Sequence, residues 1–272
     1  ALPISLGKQS RKEWFGTACC PSNIARLIAS LGNFIYGYAN NKIFINLFVG
    51  SQTSFTLPKG DIQLNLQTNY PWNGDVKCTL SMKKNMKSSI AFRIPGWSKG
   101  IPAPGELYAF SDKNAEKPVM LINNVEVAFT EVDGYAVIER EWKNNDVVEY
   151  KIPMSIKKVV ARNELKYNNE RMALQRGPLV YCVEGADNNN KTWNILSPAD
   201  ANFKAEDFNI LDEKIVSLVA DLPVIEIAND QLSAKTTKQK VRAIPYYTWC
   251  NRGSNSMQIW LPVSLKDVKI NY

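Results

Sequence analysis

The sequence predicts a mainly β protein: two antiparallel, jelly-roll-like β-sandwich domains preceded by one helix. Three observations carry that expectation. From Asn40 onward apolar and polar residues alternate at a period of two, the pattern of strands with one buried face. Turn signals such as Asn123-Asn124 and Asp133-Gly134 separate the alternating segments at short intervals, as in sandwiches. One stretch, roughly 21–36, follows a helical period instead.

The helix begins in the run Trp14-Phe15-Gly16-Thr17-Ala18-Cys19-Cys20-Pro21-Ser22-Asn23-Ile24-Ala25-Arg26-Leu27. Pro21 suits the first helical position, where its missing N–H would have no intrahelical partner. Ile24, Leu27, Ile28, Leu31 and Ile35 share one face, and Gly37 is a C-terminal stop signal. A single helix cannot supply a core, so this face needs a partner.

Asn40-Asn41 reads as a turn and residues 42–49 as a buried strand. Ile62, Leu64 and Leu66 alternate with polar residues, as do Val76, Cys78, Leu80 and Met82, which makes Cys78 a core residue. Ile90, Phe92 and Ile94 repeat the pattern until Pro95-Gly96 breaks it. Residues 135–142 and then Val148, Tyr150 and Ile152 flank the turn Asn144-Asn145-Asp146. Pro153 marks a domain boundary. Beyond it, 156–161 and 172–184 read as strands, the latter bent at Gln175-Arg176-Gly177-Pro178 because proline cannot donate to a central ladder. Residues 187–209 read as irregular, 222–228 as a strand, 229–240 as a polar connection, and 241–249 and 257–263 as the last strands.

Cys19 and Cys20 stand where free backbone N–H groups at a helix start favour negative charge. Thiolate is the form that attacks carbon or binds metal. Packing is the simpler role for adjacent cysteines; the flanking Gly16 and Pro21 and the lack of a long apolar run argue against it. Two cysteines alone are not a zinc site, which takes three or four ligands. The chain has no histidine, and Cys78, Cys182 and Cys250 fall in distant strand-like segments, so if Cys19 and Cys20 bind metal the further ligands are expected from outside this chain. Trp72, Trp97, Trp249, Trp260, Tyr246 and Tyr247 have the chemistry to stack on sugar rings, although sandwich aromatics more often fill cores. Glu139 with Glu141, and Asp112 with Glu116, read as solvated charges. The sequence holds no glycine-rich phosphate loop and no Ser-His-Asp arrangement.

The run at 14–27 resembles the signature at the end of the catalytic barrel in glycoside hydrolase family 127, the β-L-arabinofuranosidase family. Ile94-Pro95-Gly96-Trp97, Gln175-Arg176-Gly177-Pro178-Leu179-Val180-Tyr181 and Tyr247-Thr248-Trp249-Cys250-Asn251-Arg252-Gly253 resemble segments of the same family. The related family 146 shares the chemistry. The resemblance implies that Cys19 is the nucleophile and a zinc ligand, and that Cys20 is a second zinc ligand. It places a Glu-x-Cys ligand pair and the acid/base glutamate upstream, in an (α/α)6 barrel. The chain is then expected to be the C-terminal part of a larger enzyme, inactive alone. Its expected domains are 1–36 from the end of the barrel, 37–153 as a first sandwich with a returning strand near 257–272, and 154–256 as a second sandwich. Expected partners are the N-terminal barrel, plant-derived arabinose-containing glycans and, in a homodimer, a second copy of the chain. The competing reading is a non-catalytic tandem β-sandwich that binds carbohydrate or scaffolds another subunit.

Composition narrows the field. A hydrophobic content of 45% over 272 residues supports more than one core. The net charge is +7, but the lysines are scattered in short clusters such as Lys83-Lys84 and Lys157-Lys158, without a nucleic-acid-binding motif, so no nucleic-acid partner is expected. No apolar run reaches the ~20 residues of a membrane span, and Ala1-Leu2-Pro3-Ile4-Ser5 lacks the regions of a signal peptide. Five cysteines at irregular spacing do not form a disulfide framework.

Overall fold

Paired turn residues set the first hairpins. Asn40 and Asn41, Asn123 and Asn124, and Asp133 and Gly134 all adopt positive φ, between 50° and 81°. Asparagine, aspartate and glycine tolerate that region, and its twist matches two antiparallel strands. The structure, a computed structural model, describes residues 11, 16, 19–112, 114, 116–227 and 233–268. In chain order the elements are helix α1 (Cys19–Ser30), the single turn α2 (Gly32–Ile35), and strands β1 (Tyr36–Ala39), β2 (Lys42–Ile45), β3 (Ser51–Leu57), β4 (Gly60–Thr68), β5 (Asp75–Met82) and β6 (Met86–Arg93). Then come β7 (Tyr108–Phe110), β8 (Val119–Ile122), β9 (Val125–Glu126), β10 (Thr130–Val132), β11 (Tyr135–Trp142), β12 (Val147–Lys151) and β13 (Ile156–Ala161). The chain ends with β14 (Arg171–Arg176), β15 (Leu179–Glu184), β16 (Lys204–Ile210), β17 (Glu213–Ile227), β18 (Ala234–Pro245), β19 (Met257–Gln258) and β20 (Leu261–Pro262).

These elements form two units. The first takes described residues 16, 19–99 and 116–154. Its two sheets have strand orders β1-β2-β6-β11-β10 and β3-β4-β5-β12-β8-β9. Inward residues of both sheets meet in one core, with Ile43, Ile90, Phe92 and Trp142 from one and Ile62, Leu64, Leu80 and Tyr150 from the other. This is a sandwich, and Cys78 lies within it as expected. One pair departs from the antiparallel expectation: β2 runs parallel to β6. Residues 42–49 also do not form one strand. The N–H groups of Asn46 and Leu47 turn back to the Ile35 carbonyl, at 2.8 and 3.3 Å, which ends β2 at Ile45. The same bonds take the Ile35 carbonyl, the end of α2. The expected helix at 21–36 is interrupted at Leu31 and ends at Ile35, and Gly37 sits in β1 opposite Phe44 rather than acting as a stop. Pro21 takes the third position of α1, still within the first turn, where no intrahelical acceptor awaits its missing N–H.

The second unit takes described residues 11, 100–112, 114, 155–227 and 233–268. Its strands form one nine-stranded sheet along the path β16-β17-β18-β15-β14-β13-β7, with β19 on β15 and β20 on β14. The core gathers Met172, Leu174, Tyr181, Val183, Leu218, Leu222, Val241 and Ala243 from this sheet with Ile195 and Phe203 from the following loop. Gly177 and Pro178 make the expected break, joining β14 to β15 with Gly177 at φ 57°. Three expectations fail here. The segment near 257–263 does not return to the first sandwich: Met257 and Gln258 pair with β15, Arg171 and Met172 pair with β20, and Leu261 is buried in the second core. Residues 234–240 are not a connection but the outer part of β18, paired to β17 from Ile227↔Ala234 inward; residues 229–232 of the expected connection lie outside the described residues. Similarly, 204–209 of the expected irregular stretch lie in β16.

Candidate active site

α1 opens with the two cysteines, and their Sγ atoms stand 3.7 Å apart, both exposed. Two thiolates each about 2.3 Å from a tetrahedral zinc would be about 3.8 Å apart, so the pair fits one edge of such a site. The donor set matches as well, since soft sulfur suits zinc. Among the described residues no group of three or more His, Cys, Asp and Glu side chains could hold a metal ion. Hydroxyls tie the helix to itself: Ser22 Oγ donates to the Cys19 carbonyl at 3.1 Å and Ser30 Oγ to the Arg26 carbonyl at 2.9 Å. No α1 residue is buried, and Ile24, Leu27, Ile28, Leu31 and Phe34 leave an apolar face exposed.

The other cysteines are elsewhere and of another kind. Cys78, Cys182 and Cys250 are buried. Burial pushes the Cys78 thiol up to about 12 and raises Cys182 and Cys250 too. Cys250 does not lie in a strand; it follows a 3-10 turn at Tyr246–Thr248, with φ 64°. The flagged carboxylates are solvated: Glu139 pairs with exposed Lys87 at 3.0 Å, and Asp112 with Lys157 at 3.1 Å. Of the aromatics, Trp97 packs on the first core and Trp260 stacks on Tyr108 at 5.7 Å. Tyr246 and Tyr247 remain exposed, and Tyr246 lies nearly parallel to Trp249 at 6.4 Å.

One cluster escaped the sequence reading. The Glu184 carboxylate, fully buried at the end of β15, accepts hydrogen bonds from the Cys250 N–H at 2.8 Å and Asn255 Nδ2 at 2.9 Å. Arg252 also donates to Glu184, and through Nη1 to Asp187 at 2.8 Å. Burial alone would raise the Glu184 carboxyl; the bonds from Arg252, Asn255 and Cys250 outweigh it and hold the group below the ordinary carboxylate range. The one hint was Arg252 within the Tyr247–Gly253 segment, and spacing alone could not supply partners so far upstream.

Residues 42–154 match the family description "Beta-L-arabinofuranosidase, GH127 middle domain", and residues 156–262 match "Glycoside hydrolase family 127 C-terminal domain". The chain belongs to glycoside hydrolase family 127. A curated relative is the non-reducing end β-L-arabinofuranosidase of Bifidobacterium longum subsp. longum, 28% identical over 92% of this chain and 38% of that protein. A solved family 127 β-arabinofuranosidase superposes with a TM-score of 0.90 at 34% identity, covering 96% of this chain and 41% of the other. The family 127 β-L-arabinofuranosidase of Geobacillus stearothermophilus T6 gives 0.82 at 33% identity, with the same coverage. The chain therefore spans about two fifths of the length of these relatives.

Proposed function

We propose that this chain serves in a zinc-dependent retaining glycosidase that removes terminal β-L-arabinofuranosyl residues from plant-derived glycans, with Cys19 as nucleophile. The observation that carries the reading is the exposed Cys19–Cys20 pair, with its sulfurs 3.7 Å apart at the start of α1, in a chain of family 127. In the proposed reaction the Cys19 thiolate attacks the anomeric carbon and forms a C–S bond as the bond to the leaving oxygen breaks. A glutamate outside this chain protonates that oxygen. The same glutamate then takes a proton from water, which displaces the sulfur and restores the configuration. Cys19 and Cys20 would hold zinc, which supplies the charge that keeps sulfur as thiolate and makes it a better leaving group.

Two thiols are half a coordination shell, so the isolated chain is expected to bind zinc weakly and to turn over no aryl arabinofuranoside. Zinc titration and a hydrolysis assay check this; turnover comparable to an intact enzyme overturns it. In the complete enzyme Cys19→Ser is expected to abolish turnover more fully than Cys20→Ser. Both substitutions weaken zinc binding, because a hydroxyl is a poor ligand, but only the first removes the covalent bond to sugar. A cysteine-reactive arabinose analogue, mapped by mass spectrometry, should label Cys19. A label on Cys20, or on neither cysteine in an active enzyme, refutes the assignment.

A further inference from the structure

The turn at Tyr246–Trp249 is held harder than a surface turn needs to be. Thr248 Oγ1 donates to the Pro245 carbonyl at 2.7 Å, and Asn251 Nδ2 to the Thr248 carbonyl at 3.1 Å. The Arg11 guanidinium donates through Nε to the Trp249 carbonyl at 3.0 Å and through Nη2 to the Tyr247 carbonyl at 2.7 Å. From below, the buried Glu184 carboxylate grips the next N–H, that of Cys250, and is itself bound by Arg252 and Asn255. Burying such charges is costly, and hydrophobic residues would stabilise the fold as well or better. What the network does supply is one fixed geometry for the turn above it.

That turn displays aromatic rings. Tyr246 is 44% exposed and Tyr247 46%, and the Tyr246 ring runs nearly parallel to Trp249, with an interplanar angle of 27°. Residues 246–253 include no aliphatic side chain beyond the buried Cys250, unlike the Ile and Leu face of α1. Exposed rings on a turn whose other residues are mostly polar, beside Arg11 and Asn251, suit a ligand that alternates C–H faces with hydroxyls. We infer that the turn Tyr246–Trp249 is a glycan-binding platform that stacks a neutral oligosaccharide on preorganised aromatic faces. Fixing the rings beforehand removes the ordering cost that a mobile loop would incur on binding. The inference rests on membership of a carbohydrate-acting family and not on the cysteine chemistry.

The test uses the 272-residue chain and a binding readout, so its failure is distinct from a failure of the hydrolysis assay. Saturation-transfer NMR and titration calorimetry with arabino- and galacto-oligosaccharides of increasing length are the measurements. Wild type binds, with affinity rising with length. Tyr246→Ala and Tyr247→Ala each weaken binding by about threefold to tenfold, with unchanged near-ultraviolet circular dichroism. Tyr246→Phe, which keeps the ring, retains binding. Tyr167→Ala, at a tyrosine 96% exposed, changes nothing. Absence of binding by wild type, or binding by the two alanine variants as tight as that of wild type, overturns the proposal. So does an outcome in which those variants keep their glycan affinity but change sedimentation, since the patch is then a protein interface.

Discussion

Arg252 and Glu184 lie 68 residues apart in sequence, yet each depends on the other. Arg252→Ala leaves a fully buried carboxylate without its cation and should cost about 3–5 kcal/mol, read from urea unfolding. The pH dependence gives the sign. A carboxyl held low in the folded state contributes stability above its ordinary value of about 4.3 and loses it as pH falls through the lower, folded value. In Arg252→Ala, burial acts on Glu184 with less opposition and raises the carboxyl. Its contribution then reverses and stability falls as pH rises from about 4. A variant that keeps the wild-type acid slope contradicts the network. The five thiols should also divide by burial. Iodoacetamide on the folded chain is expected to modify Cys19 and Cys20, and to reach Cys78, Cys182 and Cys250 only after unfolding. Peptide mapping checks this. The cysteine pair was visible in the sequence because its whole signal is local. The Glu184 cluster was not, because no periodicity joins a strand end to a loop so far downstream.

At the scale of the element, glycine marks where backbones must approach. A Cβ on Gly74 would come within 1.7 Å of the Ile152 carbonyl oxygen, and the Ile152 N–H donates to the Gly74 carbonyl at 2.9 Å. Gly74→Ala must displace backbone, so thermal unfolding should show a loss at the upper end of the about 1–3 kcal/mol that overpacking costs. An unchanged midpoint rules out the contact. Strands such as β4 and β5 could be read from sequence because they bury every second residue: Ile62, Leu64 and Leu66 in one, Val76, Cys78 and Leu80 in the other. The outer part of β18 could not, because residues 234–240 bury neither face and their pairing with β17 satisfies backbone groups without leaving an alternating pattern. The helix end was misread for a related reason: Ile35 continues the apolar period, but its carbonyl is claimed by the strand turn at Asn46.

At the scale of the molecule, the short strand β7 belongs in sequence to the first unit and in space to the second. Ala109 and Phe110 pair with Val160 and Val159 on β13, and Phe110 is buried. Phe110→Ala is therefore expected to destabilise the second unit by about 3–5 kcal/mol. Amide hydrogen exchange should show lost protection across 156–262 while the sandwich of β1–β6 and β8–β12 keeps its own; the opposite pattern would reassign β7. Three residues with one buried side chain carry too little periodicity to be placed from sequence alone.

The excursion of β7 bears on how such a chain can be inherited. The two family regions meet between residues 154 and 156, which looks like a natural seam for recombination. A genetic exchange at that seam would carry β7 away with the upstream partner and leave β13 with an open edge, a template for pairing with other chains. A recombinant could keep both halves whole only if its new neighbour brought a replacement strand. A graft of the downstream region into a foreign protein would therefore have to take residues 108–110 with it.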